Sequence, residues 1–338
     1  MQISESDRVG GGGEGAVYVA HPGDGKKIAV KVFNDKKLSE NRDILCQKIA
    51  RMVEIGKQRN NALINYPMVA WPQLVCYDGK GEFVGYGMRL AKGKALSRLA
   101  HPMLHREHFP DMDRVNVADM LIRLWQSAQF LHERRIYIGD VNTNNVLCSD
   151  RYGVCWIDVD SFQIENWRCL VGRPEMTPPE HLGREYSDFD RTRESDLFSL
   201  AVMSFQCLML GRHPYDHIGA GKPVDNLRDG KFPYVKGGSR PGTRGGIPNG
   251  HWHKMWSHYT NRLMGLFVRT FDGINGTRRP LERPSPEEWI GALENFKNSF
   301  ELPPARRLDN GETWRRCRAM IPAEEKPPLK WRGCSLQE

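Results

Sequence analysis

The chain has 338 residues, 39% of them hydrophobic and 27% charged, and it carries a net charge of +8. That is the balance of a soluble globular protein long enough for two lobes. No apolar run reaches the roughly 18 residues of a membrane span: the longest, Leu197 to Leu210, is interrupted by Ser199, Ser204 and Gln206. The eight cysteines form no C-x-x-C pair, so a zinc ribbon is disfavoured and reduced, mostly buried thiols are expected. The basic residues are spread out apart from pairs such as Arg278-Arg279, Arg306-Arg307 and Arg315-Arg316, which reads as a solvated basic surface with no nucleic-acid motif. The polar first ten residues, MQISESDRVG, lack a signal-peptide core, and the expected location is cytoplasmic.

Residues 1–91 read as a strand-rich lobe. Ala16 to Ala20 and Ile28 to Phe33 are rich in β-branched residues, with the turn sequence Pro22-Gly23-Asp24-Gly25 between them, which predicts a hairpin. Apolar spacing over Ser39 to Arg59 (Ile44, Leu45, Ile49, Met52, Val53, Ile55) predicts a helix. Further strands are expected around Leu74 to Tyr77 and Phe83 to Leu90. Residues 92–300 read as helical. An amphipathic helix is expected over Ala118 to Arg134, with Leu121, Leu124, Trp125, Ala128 and Leu131 on one face. A polar loop follows at Ile138–Asn145, then a strand at Val154 to Ile157. Helices are expected over about Glu194 to Leu210 and Ser285 to Phe300. Residues 216–250 are a Gly/Pro-rich basic excursion. The Pro-rich stretch 301–338 reads as an irregular tail, with Trp314 and Trp331 suggesting that parts of it pack on the body. His251, Trp252, His253, Trp256 and His258 cluster in sequence. Without a thiol or carboxylate among them, helix packing with exposed histidines is preferred to a metal site.

Gly10-Gly11-Gly12-Gly13-Glu14-Gly15-Ala16-Val17 fits G-x-G-x-x-G-x-V. Glycines in such a loop let backbone amides approach phosphate oxygens. Alone the pattern is weak, because a glycine run is more often a turn. Fourteen residues after Val17 comes Ile28-Ala29-Val30-Lys31, matching a V-A-I-K strand whose lysine reaches phosphates. An acid on the following helix should hold Lys31. Glu54 is the first choice, mid-helix beside the apolar stripe, and Glu40, near the helix start, is the fallback.

Ile138-Gly139-Asp140-Val141-Asn142-Thr143-Asn144-Asn145 resembles the protein-kinase loop H-R-D-x-x-x-x-N, and Asp158-Val159-Asp160 stands thirteen residues after Asn145, where D-F-G belongs. Taken singly, Asp140 could be a turn-capping residue and Asp158 a strand-end residue, but the matched spacings argue against both. Further on, Val171 to Glu180 resembles V-G-T-P-x-Y-x-A-P-E, Ser195-Asp196-Leu197-Phe198-Ser199-Leu200 resembles S-D-x-W-S-L, Gly211 to Tyr215 resembles G-x-x-P-F, and Arg283-Pro284-Ser285 resembles the late R-P-S. The resemblance to bacterial eukaryotic-like Ser/Thr protein kinases covers about residues 8–298. The A-P-E-like segment separates these from small-molecule kinases.

The resemblance implies an α+β, two-lobed kinase fold with ATP and Mg²⁺ in the cleft and a protein hydroxyl as acceptor. Asp140 would orient the acceptor. Asn145 and Asp158 would bind Mg²⁺, and Lys31 the phosphates. Gly10, Gly12, Gly15, Val17, Ala29, Glu54 and Leu147 would line or support the nucleotide site, with Met88 as gatekeeper and Arg89, Leu90 and Ala91 as hinge. Asp196 would brace the catalytic loop, and Arg283 would pair with Glu180. The I-D-V-D-S-F-Q and G-R-H-P patterns resemble a group encoded beside von Willebrand A-type proteins and metal-dependent protein phosphatases in stress or tellurite-resistance operons, which implies such partners.

Four departures stand out. Gly139 replaces the arginine that receives an activation-loop phosphate, Asn142 the usual lysine, Arg173 the usual threonine, and Asp160 the glycine of D-F-G. Asn142 and Arg173 are retained in the catalytic set. Arg173 either supplies the positive charge that Asn142 lacks or pairs with an acid such as Asp160. The competing reading is an ATP-binding pseudokinase scaffold.

Overall fold

Strand propensity in the first ninety residues is realised as an antiparallel sheet in the computed structural model. The structure describes residues 3–23, 27–58, 62–110, 112–149, 153–217, 219, 221–235, 244–247, 252–273, 279–299, 330–331 and 334–335. Strands β1 (Arg8–Gly12), β2 (Gly15–Ala20), β3 (Ile28–Phe33), β4 (Pro72–Tyr77) and β5 (Phe83–Arg89) form one sheet in the order β1-β2-β3-β5-β4. Register places Val17 and Tyr86 on either side of Lys31, and Val19 and Met88 on either side of Ala29. Cross-strand partners and alternate residues share a face, so this register gathers Val17, Ala29, Lys31, Tyr86 and Met88 on one side of the sheet.

Helix α1 (Asp35–Lys57) packs on that sheet through Leu38, Leu45, Ile49 and Met52. It begins four residues before the apolar pattern suggests, because Asn34 caps it by accepting the Lys37 N–H at 2.9 Å. The helical lobe follows: α2 (Leu96–Leu99), α3 (Pro102–His108), α4 (Arg114–His132), α5 (Arg193–Leu208), α6 (Pro223–Asp229), α7 (Trp252–Ser257), α8 (Asn261–Phe271) and α9 (Pro286–Asn298). Its core is tied by tryptophans. Trp125 of α4 stacks on Trp289 of α9 with centroids 5.1 Å apart, and its indole N–H donates to Ser204 Oγ of α5 at 3.1 Å.

A small sheet joins the lobes: β6 (Lys94–Ala95), β7 (Val146–Cys148) and β8 (Val154–Trp156), in that order. Trp156 also donates its N–H to Met68 O, and its carbonyl accepts the Ala70 N–H. Among the described residues no helix is long and apolar enough to cross a membrane. Most of the proposed tail, including Trp314, lies outside the described residues, as do Asp24 and Gly25 of the first hairpin, much of the basic excursion, and His251. Correcting the expectation of exposed histidines, His258 is buried, with Nδ1 3.0 Å from Arg114 Nη1.

Candidate active site

The β7–β8 hairpin sets the geometry of the cleft. Val146 pairs with Trp156, and Ile157 donates its N–H to Asn145 O at 2.9 Å. The last residue of the polar loop and the first residues after β8 are therefore neighbours, which brings Asn145 and Asp158 into one cavity. That cavity has a volume of about 900 Å³ and is lined by Gly10 to Gly13, Gly15, Val17, Ala29, Lys31, Met88 to Ala91, Asn145, Leu147 and Asp158. Its dimensions and mostly apolar walls suit a nucleotide-sized ligand. A Cβ added at Gly10, Gly12 or Gly13 would meet nothing within 4 Å, so the loop leaves open space in front of its amides. At Gly15, by contrast, a Cβ would lie 2.2 Å from Val32 O, and only glycine lets β2 approach β3 there.

The glycine loop is anchored to the start of α1. Asn34 Nδ2 donates to Gly13 O at 2.8 Å, Asn34 N–H donates to Glu14 O at 2.9 Å, and Lys37 pairs with the Glu14 carboxylate at 2.6 Å. The opposite wall is anchored by Arg89. Its guanidinium reaches back from the hinge to the carbonyls of Tyr66, Pro67 and Val69 and to Cys155 Sγ.

The polar loop is held from both sides. Asn145 Nδ2 donates to the Asp140 carbonyl at 3.0 Å and to its carboxylate at 2.9 Å. From below, Asp196 accepts the N–H groups of Ile138 (2.7 Å) and Gly139 (2.9 Å) and an imidazole contact from His132 at 2.9 Å. Asn142 is turned inward and only 3% exposed: its amide donates to Asp140 O at 3.2 Å and accepts the Asn144 N–H at 3.0 Å. Both ends of that side chain are used inside the loop. It is a brace there, which corrects its inclusion in the catalytic set.

The acid expected on α1 is the second correction. Glu54 points to solvent and pairs with Arg51 at 3.0 Å, one turn earlier on the same helix, and Glu40 is also exposed. Glu54 follows the buried Val53 and precedes the buried Ile55, but its own position falls on the outer face of the helix. Lys31 takes its carboxylates from the segment after β8. Its ammonium donates to Asp158 and to both oxygens of Asp160 (2.8 and 2.9 Å). Asp160 also accepts the Tyr86 hydroxyl at 2.7 Å, and its carbonyl accepts Lys48 Nζ at 2.6 Å. From the sequence Asp160 is offered only as a possible partner of Arg173, and Tyr86 and Lys48 are given no role. The one signal in the sequence is a lysine, Lys48, within the apolar stripe of α1.

Electrostatics follow from this packing. Burial opposes charge on Lys31, but Asp160 and then Asp158 outweigh it and hold the ammonium above the ordinary lysine value. Burial likewise opposes charge on Asp160. Lys31 and the Tyr86 hydroxyl prevail and keep its carboxyl below the usual range. Asp158 moves the other way, pushed up by burial and by the neighbouring Asp160 charge. A divalent cation beside Asp158 would relieve that repulsion, so the donor set fits a hard oxygen-binding ion. Asp158 itself has left-handed backbone geometry (φ 60°), which turns the chain into the short helical turn Val159–Ser161.

Gly139 has φ +70°, and a Cβ there would lie 2.6 Å from Cys169 Sγ. The space an arginine would need is taken by Cys169 and Arg191. Arg191 is buried, donates to Val171 O at 3.0 Å, and lies 4.7 Å over the Tyr186 ring. Arg173 is exposed, and its carbonyl accepts the Thr177 hydroxyl at 2.8 Å. Asp160, its suggested acidic partner, is engaged by Lys31. At the end of this segment Arg283 forms a two-pronged pair with Glu180, both contacts 2.7 Å.

A two-lobed α+β fold, a glycine loop over a deep cleft, and an Asp–Asn loop beside a lysine–aspartate cluster define the protein kinase class. The protein kinase domain family matches residues 3–236, and the chain belongs to that family. It is 27% identical over 310 residues to the protein kinase YegI of Escherichia coli K12, covering 87% of this chain and 44% of that protein. Against YegI of Escherichia coli O157:H7 the figures are 28% over 316 residues, 88% and 45%. It is also 26% identical over 219 residues to the probable serine/threonine-protein kinase zyg-1 of Caenorhabditis elegans, covering 62% of this chain and 28% of that protein. The chain spans less than half the length of the YegI proteins it matches.

Proposed function

We propose that the chain is a Ser/Thr protein kinase that transfers the γ-phosphate of ATP, with Mg²⁺, to hydroxyls of a protein substrate. The observation that carries this reading is the Asp140–Asn145 hydrogen bond at 2.9 Å, which sets the acceptor-orienting carboxylate beside a residue of the nucleotide cavity. Asp140 would accept the hydroxyl proton, and its carboxylate is held in place by Asn145 on one side and by the Asp196-braced loop on the other. Lys31 would hold phosphate oxygens, Asn145 and Asp158 the metal, and Met88, Ala29, Val17 and Leu147 the base. Bound Mg²⁺ would neutralise charge on the phosphates as the bond to the leaving group breaks. Gly10, Gly12 and Gly15 give the loop its close approach, and Arg173, exposed within the A-P-E-like segment, would offer a positive charge near the acceptor. Ser/Thr specificity is supported by the match to zyg-1, whose name carries it. Cytoplasmic signalling with von Willebrand A-type and phosphatase partners is supported by the sequence resemblance alone.

Asn142, folded into the loop where the family usually offers a lysine, favours the second reading, an ATP-binding scaffold. Incubation with radiolabelled ATP and Mg²⁺, followed by phosphoamino-acid analysis, separates the two. The kinase reading expects label on Ser or Thr that falls about 10²- to 10⁴-fold in Asp140→Ala. ATP binding without label in either protein overturns it.

A further inference from the structure

Every acidic residue of α1 (Asp35, Glu40, Asp43 and Glu54) is exposed, and the charged side chain that the helix buries is a cation, Lys48. Lys48 Nζ reaches across to the segment after β8 and donates to the Asp160 carbonyl at 2.6 Å. Asp160 in turn gives both carboxylate oxygens to Lys31, at 2.8 and 2.9 Å, while Tyr86 fixes one of them from the sheet at 2.7 Å. Lys31, Lys48 and Asp160 are each 6% exposed or less. Buried charges persist only where good geometry and extra hydrogen bonds compensate their lost hydration. Here two cations converge on one aspartate, and the aspartate carries a phenol hydrogen bond as well.

We infer that Asp160 is the positioning residue for Lys31, and that Lys48 of α1 keeps Asp160 in place, so that the helix-to-lysine linkage runs through the segment after β8 with the helix contributing the positive partner. This rests on the reading of Lys31 as a phosphate-holding group. The arrangement has a division of labour. With Asp160 compensating Lys31, Asp158 need not be its sole counter-ion and can face a metal. Without the Asp160 charge, Lys31 falls back on Asp158 and competes with the metal for it. It also makes Asp160 intolerant of the small residue expected at that position, because a glycine there leaves Lys31 and Tyr86 without the carboxylate they share, while Lys48 keeps only the backbone carbonyl.

The test is binding of a non-hydrolysable ATP analogue by calorimetry, titrated against Mg²⁺, with melting temperature recorded for each protein. Asp160→Asn keeps the shape and one acceptor oxygen but removes the charge and the second acceptor. It is expected to weaken analogue binding about tenfold to a hundredfold and to raise the Mg²⁺ needed for half-saturation. Lys48→Glu is expected to lose binding, since it sets a carboxylate beside Asp160. The double variant Lys48→Glu/Asp160→Gly is expected to regain it, because the helix then supplies the only carboxylate at that point. An Asp160→Asn protein that binds analogue and Mg²⁺ like the wild type overturns the role of Asp160. A folded double variant that binds no better than Lys48→Glu overturns the role of Lys48. A wild-type protein that binds no analogue refutes the ATP reading itself, whatever the variants do.

Discussion

Asp196 lies 57 residues beyond Gly139 in the chain, yet its carboxylate accepts the Gly139 N–H at 2.9 Å and, through its other oxygen, the Ile138 N–H at 2.7 Å. Its side chain is 1% exposed. The first turn of α5 therefore fixes the backbone immediately before Asp140. The capping box of Thr192 and Ser195 holds that turn in turn, by aligning the start of the helix.

Asp196→Asn tests this support. An amide can accept through one oxygen only, so one loop N–H, or His132, is left facing an NH₂ group. The expected cost is about 1–3 kcal/mol of stability, read by urea denaturation. Phosphoryl transfer should fall while binding of an ATP analogue changes little, since Asp196 touches the loop and not the nucleotide cavity.

The Arg283–Glu180 pair closes the segment that follows the cleft. The arginine side chain is fully buried and the glutamate about one-quarter exposed. Arg283 also donates to Glu194 O at 2.9 Å, which joins the segment to the start of α5. Breaking one side leaves a charge in a poorly hydrated place. Arg283→Met should destabilise by about 3–5 kcal/mol, and Glu180→Gln by less, because the amide keeps one acceptor and is partly hydrated. Chemical unfolding of the two variants gives the order.

Restoring the missing arginine should harm the protein. Gly139 has φ +70°, a region that costs an L-residue about 1–2 kcal/mol, and its neighbour Cys169 stands where a Cβ would go. Gly139→Ala should therefore cost about 2 kcal/mol or more, and Gly139→Arg more again, with reduced phosphoryl transfer in both. A Gly139→Arg protein as stable and active as the wild type would contradict the packing seen around Cys169 and Arg191.

Acid should weaken the fold through His105. Its imidazole is wholly buried, Nδ1 lies 3.0 Å from Leu99 O, and burial pulls its pKa down from 6.5 to about 4. The unfolded chain takes up the proton near 6.5 and the folded one does not, so stability is complete above about 6.5 and declines as pH falls. The decline levels off near 4, after a total loss of about 3 kcal/mol at 1.4 kcal/mol per pH unit between the two values. Urea midpoints between pH 7.5 and 4.5 should fall more steeply for the wild type than for His105→Gln.

Much of this was legible in the chain, for definite reasons. Strands β2 and β3 and helices α4, α5 and α9 follow from local periodicity, which survives folding, and the Arg283–Glu180 contact is one that the resemblance of its two motifs implies. The start of α1 was misplaced because the cap, Asn34, lies outside the apolar repeat. The partner of Lys31 was missed for another reason. A helical repeat marks buried positions but does not say which element supplies the acid, and Glu54 stands beside that repeat on the outer face of α1. Only the three-dimensional register, with Tyr86 opposite Lys31 and Lys48 facing the turn after β8, shows that the acid arrives from elsewhere in the chain. Asn142 was misjudged similarly: a polar residue in a catalytic loop can serve the ligand or the loop, and spacing does not distinguish the two.

The bonds from Asn34 to Gly13 and Glu14 make the roof of the nucleotide cleft and the first turn of α1 a single mechanical piece. A molecule that gripped α1 from outside would thereby also hold the glycine loop over the cavity. If the cavity holds a nucleotide, its dwell time, and not merely the alignment of its reacting groups, would then be open to control from the far side of the helix.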